Sequence, residues 1–178
     1  MLRKLGLFWL IVAVVAFSCK NSSVRSVAAN DTKATAAAES SVSLKIEDAA
    51  LVEDENDPDS NTAEWSFKVD HAGRYEVWLS SVTRDTLNMG FDTVVTITAG
   101  DSRLEKLPLG DKIIADATNA EGYRFKAESE MGSVFFNAPG DYTIQIISEK
   151  IKSPADKNIS AEKEMTLIKS LILRPVVY

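Results

Sequence analysis

One stretch limits what this chain can become: Trp65–Leu79, Trp-Ser-Phe-Lys-Val-Asp-His-Ala-Gly-Arg-Tyr-Glu-Val-Trp-Leu. Trp65, Phe67 and Val69 alternate with Ser66 and Lys68. Tyr75, Val77 and Leu79 repeat the alternation after Asp70-His71-Ala72-Gly73. A period of two puts the apolar set on one face of a strand and the polar set on the other. Aspartate can bond its own backbone ahead, and glycine accepts positive φ at the exit of a turn. The stretch therefore predicts two half-buried strands joined by a tight turn, a β-hairpin. Its apolar rows need a cover, and a second sheet stacked about 10 Å away supplies one.

The same period recurs along the chain. Val42, Leu44 and Ile46 alternate with Ser43, Lys45 and Glu47 and mark the first strand. Glu47–Asp59 follows as an acidic loop. After the hairpin, whose second strand extends to about Val82, Thr83–Gly90 is a polar loop. Phe91–Thr98 reads as a strand with Phe91, Val95 and Ile97 on one face. Short strands are expected at Arg103–Leu107, from Tyr123 through Ala127, at Ser133–Asn137 and at Asp141–Glu149. Leu109–Ala120 reads as a long loop with a short ordered piece, and Lys150–Lys163 as a polar excursion. The last strand, Glu164–Arg174, is apolar on both faces except at Lys169 and Ser170, which suits a central strand or one carrying a bulge. Eight or nine short strands, turn signals about every ten residues and no domain helix predict an all-β fold, an antiparallel β-sandwich over 42–178.

The N-terminus predicts location. Arg3 and Lys4 precede an apolar run, Leu5–Phe17, too short for a comfortable membrane span and suited to a secretory signal core. It ends at Val15-Ala16-Phe17-Ser18-Cys19-Lys20, which resembles a bacterial lipobox, with Ala16 where Leu is usual. The resemblance is to lipoproteins of the kind common in Bacteroidetes-like bacteria. It implies a signal peptide over 1–18, lipidation of Cys19, a flexible linker over 19–41 rich in Ser, Ala, Thr and Asn, and an outer-membrane envelope location. Cys19 is the only cysteine. Once acylated it leaves no thiol for a disulfide, a zinc site or a nucleophile. Each buried acyl methylene contributes about 0.8 kcal/mol to the anchor. Without Arg3 and Lys4 the chain carries 18 basic against 26 acidic side chains. That balance argues against a nucleic-acid partner and against electrostatic docking on anionic lipid.

Four pieces, in order, resemble the galactose-binding-like β-jelly roll of family 6 and family 35 carbohydrate-binding modules. They are Ile46-Glu47-Asp48-Ala49, Phe67–Leu79 with its Gly-x-Tyr, Ala138–Ile146 and Ile168–Pro175. Such modules often hold a structural Ca²⁺ between the opening Glu and an Asp in the last strand. Glu47 matches the first position, but Lys169 stands at the second, where its ammonium repels a cation and can fill the site and pair with Glu47. No calcium is therefore expected there. The acidic loop offers the oxygens a hard cation wants, but its spacing matches no EF-hand, and it reads as solvated.

The resemblance implies sugar binding by an exposed ring that stacks on a pyranose, with polar groups at the rim. Trp78 alternates against Tyr75, Val77 and Leu79, so it points away from the core; the competing role is packing under a loop. Trp65 falls in the core set. Tyr123 begins a strand beside a loop. Arg84, Asn88 and Asn119 lie in predicted loops, where they can bond hydroxyls or serve as plain surface residues. His71, the only histidine, sits in a turn, and no catalytic triad, metal-ligand cluster or phosphate loop is visible. The expectation is a membrane-anchored, non-catalytic binding lipoprotein that takes a glycan. The alternative is a structural or accessory lipoprotein whose sandwich binds a partner protein. A glycoside hydrolase is the distant third, since carboxylates are plentiful.

Overall fold

The structure, a computed structural model, describes residues 41–54, 56–115, 122–152 and 165–177. The chain divides into two units, Met1–Ala36 and Ala37–Tyr178, and the described residues belong to the second. The signal peptide, Cys19, the linker up to residue 40 and Asn119 lie outside them.

The described residues form ten strands: β1 (Val42–Lys45), β2 (Ala50–Val52), β3 (Thr62–Val69), β4 (Gly73–Thr83), β5 (Val95–Ala99), β6 (Ser102–Lys106), β7 (Lys112–Ala115), β8 (Phe125–Phe136), β9 (Gly140–Ile147) and β10 (Thr166–Pro175). They form a front sheet in the order β1-β10-β4-β8-β7 and a back sheet in the order β2-β3-β9-β5-β6. Every pairing is antiparallel. Among the described residues there is no α-helix, only two 3₁₀ turns, Ile46–Asp48 and Pro58–Ser60. The β-sandwich expected from the strand spacing is the fold.

The expected hairpin is not formed. β3 pairs with β9 in the back sheet, and β4 pairs with β8 and β10 in the front sheet. Asp70–Ala72 is an arch that carries the chain from one sheet to the other. The four peptide steps from Val69 to Gly73 reach at most about 14 Å, enough to cross the gap of about 10 Å between stacked sheets. The alternation holds in both strands, but they pair in different sheets. Two apolar rows can line one face of a hairpin or face each other across a sandwich, and period two is the same in both. Here Trp65, Phe67 and Val69 face Tyr75, Val77 and Leu79, and all six are buried in one core.

A second arch lies beside the first. Asn137–Pro139 joins β8 in the front sheet to β9 in the back sheet. Both arches have three residues and exit on Gly-x-Tyr: Gly73-Arg74-Tyr75 and Gly140-Asp141-Tyr142. In each, the tyrosine hydroxyl donates to the carbonyl four residues back. Tyr75 reaches the His71 oxygen at 2.9 Å and Tyr142 the Ala138 oxygen at 2.8 Å. Gly73 and Gly140 adopt φ of 155° and 158°, values that L side chains rarely take. Register places the arches together, with Val69 opposite Gly140 and Gly73 opposite Phe136. Phe136 sits between them. Its ring centroid is 5.8 Å from that of Phe67, 5.4 Å from that of Tyr75 and 4.5 Å from that of Tyr142.

Other boundaries moved for identifiable reasons. Ser133–Asn137 and the alternating set around Phe125 merge into the single strand β8, whose bulge opposite Val77 and Trp78 breaks the period that a sequence reading follows. Gly132 at that bulge is packed closely by Leu104 of the opposite sheet. Phe91 precedes β5, which starts at Val95, because Asn88, Asp85 and Glu149 cap the backbone of residues 87–92 instead of a sheet partner. Part of the acidic loop is strand β2, and the hard-to-read 109–120 region contains β7. β10 lies between β1 and β4 and carries a bulge at Lys169, as its apolar faces predicted.

Replacing Phe136 with Ala is expected to cost about 3–5 kcal/mol, because it empties the junction of three rings. Gly140→Ala, which meets nothing in space but must hold a strained φ, is expected to cost about 1–3 kcal/mol. Urea unfolding curves of both variants check the size and the order of the two effects.

Candidate functional site

The face of the front sheet that points away from the core carries the distinctive chemistry. Its rows follow from register. Arg174, Glu76 and Ser133 stand side by side, and the next row holds Ile172, Trp78 and Glu130. After it come Ser170, Ser80, Glu128 and Lys112, then Leu167, Val82, Lys126 and Ile114. The two bulges keep this alignment across three strands that would otherwise drift by one residue and turn the rows inward.

Glu128 is the centre of the face. Its side chain is only 5% exposed, yet three cations converge on it: Arg174 at 2.7 Å, Lys126 at 2.9 Å and Lys112 at 3.9 Å. Burial, the largest single influence, pushes its carboxyl pKa up. Hydrogen bonds and charge from Lys126 and Arg174 act against burial and together outweigh it, so the group stays below its ordinary value. To reach Glu128 from the far side of β4, Arg174 passes over Trp78, with its guanidinium carbon 4.6 Å from the indole centroid. The indole N–H donates to Glu76 at 3.1 Å. Trp78 is thus held on both its polar edge and one ring surface, and it remains half-buried rather than covered.

The expected site residues fall into separate places. Trp78 faces outward, as its alternation predicts. Trp65 is buried, and its indole N–H donates to the Lys45 carbonyl at 2.7 Å. Arg84 and Tyr123 are brought together at the far end of β4, with the guanidinium carbon 5.2 Å from the tyrosine centroid. Tyr123 is buried with Val82 and Leu167 rather than open beside a loop, because it precedes β8 and folds over the end of the outer face. Asn88 is exposed, and its side-chain oxygen accepts from the Gly90 amide within its own loop. It lines a shallow cleft of about 180 Å³ with Leu87, Phe91, Leu107 and Leu109. Glu47 is exposed and pairs with Lys45 at 3.1 Å, not with Lys169, because the 3₁₀ turn buries Ile46 and swings Glu47 outward.

Sequence reasoning missed Arg174, Glu128, Lys126 and Lys112. Charged residues in alternating strands read as an ordinary solvated face, and nothing local reveals that three strands align them. It also passed over Phe135, which is 62% exposed on the same face, next to Arg74 in register. The Phe135-Phe136 doublet was the available signal, since neighbouring strand residues must point to opposite faces.

No protein-family model and no curated protein matches the chain. Several solved structures are similar to this chain at low identity. An α-L-fucosidase from Vibrio sp. strain EJY3 superposes with a TM-score of 0.55 at 17% identity, over 76% of this chain and 22% of that one. The Podospora anserina GH26-CBM35 β-(1,4)-mannanase gives 0.47 at 16%, over 78% of this chain and 28% of that one. The CBM36-1 domain of a multidomain xylanase from the hindgut metagenome of Trinervitermes trinervoides gives 0.42 at 11%, over 78% of this chain and all of that one. The chain therefore spans about a quarter of the length of the first two.

The Glu128 cluster has a signed pH dependence. A carboxyl held below its ordinary value stabilises the fold fully above that value, and the contribution is lost as pH falls through the folded value. Glu128→Gln is expected to lower stability by about 1–3 kcal/mol at neutral pH. Wild type is expected to lose more of its stability than the variant between about pH 5 and about pH 3. Parallel urea titrations across that range measure the difference. Equal losses would show that Glu128 does not carry the effect.

Proposed function

We propose that this chain is a membrane-tethered, non-catalytic glycan-binding protein. The observation that carries the proposal is Trp78: an indole on the outer face of a sheet, half-buried, framed by Arg174, Glu76 and Glu128. An aromatic plane with hydrogen-bonding groups at its rim suits a pyranose, whose axial hydrogens stack on the ring while its hydroxyls meet the rim. In this reading Arg174 holds the indole from one face, and the sugar takes the ring surface that Arg174 leaves uncovered. Arg84, stacked on the buried Tyr123, extends the same face toward the loops. The fucosidase that shares the fold is named for action on a sugar, which agrees with the reading. The tether rests on the lipobox-like Ser18-Cys19, which would hold the domain at the bacterial outer membrane and raise its effective concentration there. Among the described residues no group of three potential metal ligands gathers, and the proposed binding uses no ion.

A second reading has its own observation. Leu87 is 97% exposed and Leu109 65%, with Leu107 and Met165 each at 42%, all on the connections at the end of the sandwich opposite the arches. An apolar surface of this kind fits a partner protein.

A glycan array probed with the full-length chain in detergent tests the first reading. Wild type is expected to bind at least one glycan class, and Trp78→Ala to bind it at least tenfold more weakly, a loss of about 1.4 kcal/mol or more. Trp78→Phe is expected to retain part of the affinity. If wild type binds no glycan, the reading fails and the Leu87 surface becomes the better guide. If Trp78→Ala binds as well as wild type, the site lies elsewhere.

A further inference from the structure

The strand β6 ends the back sheet and pairs with β5 alone. Gly100-Asp101 is a two-residue connection, which makes Ala99 and Ser102 the hydrogen-bonded pair at the foot of the hairpin. Pair types alternate along an antiparallel ladder. Ser102, Leu104 and Lys106 therefore direct their main-chain groups at β5, and Arg103 and Glu105 turn theirs to the free edge. Among the described residues no hydrogen bond reaches those outward groups. Side chains follow the same alternation. Arg103 and Glu105 stand on the outer surface, 65% and 49% exposed, and pair with each other, with Arg103 Nε 2.8 Å from the Glu105 carboxylate. Leu104 points inward over Gly132 of β8 and is half-buried.

Charge on an exposed edge ordinarily keeps other strands away. Here Arg103-Leu104-Glu105 is its own complement when read in the opposite direction. Two β6 edges paired antiparallel about a twofold axis can hydrogen-bond only where edge-facing residues meet edge-facing residues. The registers that meet this condition and overlap both charges are centred on Arg103, on Leu104 or on Glu105. Centring on Arg103 or on Glu105 sets like charges directly opposite, which is destabilising. Centring on Leu104 sets each Arg103 opposite the Glu105 of the other copy, in a pair that exchanges both main-chain hydrogen bonds. The two Leu104 side chains then meet in a non-hydrogen-bonded pair, where side chains come closest.

We propose that β6 is a self-association edge: a second copy of this chain docks on it antiparallel, in register about Leu104, and the two back sheets become one continuous sheet. The occupant is a second copy because the charge order of this edge matches itself. The Arg103–Glu105 pair on each strand extends across the axis, so opposite charges alternate around it on the outer surface. Beneath them the Leu104 contact covers the end of the core between β6 and β8. The axis runs perpendicular to the sheet, so both front sheets lie on one side of the merged sheet and both Trp78 faces stay open. Dimerisation is thus independent of what that face binds. One strand edge buries less than a standard interface, so the dimer is expected to be weak and concentration-dependent.

Sedimentation equilibrium of the full-length chain in density-matched detergent, at concentrations up to about 1 mM, tests this. Wild type is expected to pass from monomer to dimer as concentration rises. Arg103→Glu and Glu105→Arg are each expected to weaken dimerisation by about tenfold or more, because symmetry turns both attractive pairs into repulsive ones. An exposed ion pair contributes little to stability, so both variants are expected to keep the thermal midpoint. An equimolar mixture of the two variants is expected to recover association, since each then meets its opposite. The double variant, Arg103→Glu with Glu105→Arg, reverses both charges in one chain and is expected to dimerise as wild type does. A wild type that stays monomeric throughout overturns the proposal. Single variants that dimerise as well as wild type overturn it too, as does failure of the mixture and the double variant to recover.

Discussion

The ring of Phe136 joins the two sheets of this protein. It lies where the two arches meet and touches Phe67, Tyr75 and Tyr142, which belong to three different strands. Each arch is short enough to span the gap between sheets only along a nearly direct path, and each tyrosine hydroxyl clamps the carbonyl of the middle residue of its arch. The aromatic junction and the two clamps therefore set how the sheets stack at that end. The register of β3 with β9 and of β4 with β8 follows from the same junction, since both pairings begin at an arch.

That register controls the outer face. Edge-to-face aromatic contacts are worth about 0.5–1.5 kcal/mol each beyond their area, a modest energy, but a slip of one residue in β4 or β8 would exchange the core row for the outer row. Trp78 would then enter the core, and Glu128 would bring a charge into it. The buried carboxylate makes such a slip costlier still, because Glu128 is tolerable only where Lys126 and Arg174 can reach it. The same group that gathers the cations of the outer face also disfavours misregistered sheets.

Much of the fold was legible because strand chemistry is local. The burial of Trp65, Phe67 and Val69, the outward direction of Trp78 and the bulged, doubly apolar β10 all follow from alternation within a few residues. The arch was not legible. Asp70-His71-Ala72-Gly73 carries turn chemistry whether the next strand returns in the same sheet or crosses to the other, and only the partners of β3 and β4 distinguish the two. The second Gly-x-Tyr, 67 residues after the first, was visible as a motif but not as the first one's spatial neighbour.

The amino-acid order alone determined that this domain is a sandwich of short antiparallel strands, that its aromatic rows face inward, and that one tryptophan faces out. Period two fixes the face of each side chain irrespective of which strand lies alongside. Tertiary structure alone decided what surrounds that tryptophan. Arg174, Glu128, Lys126 and Lys112 come from β10, β8 and β7, and they meet only because those strands are ordered and bulged as they are. Coulombic and hydrogen-bonding partners act over a few ångströms in space, and residues 46 positions apart, as Glu128 and Arg174 are, reach that range only through the sheet.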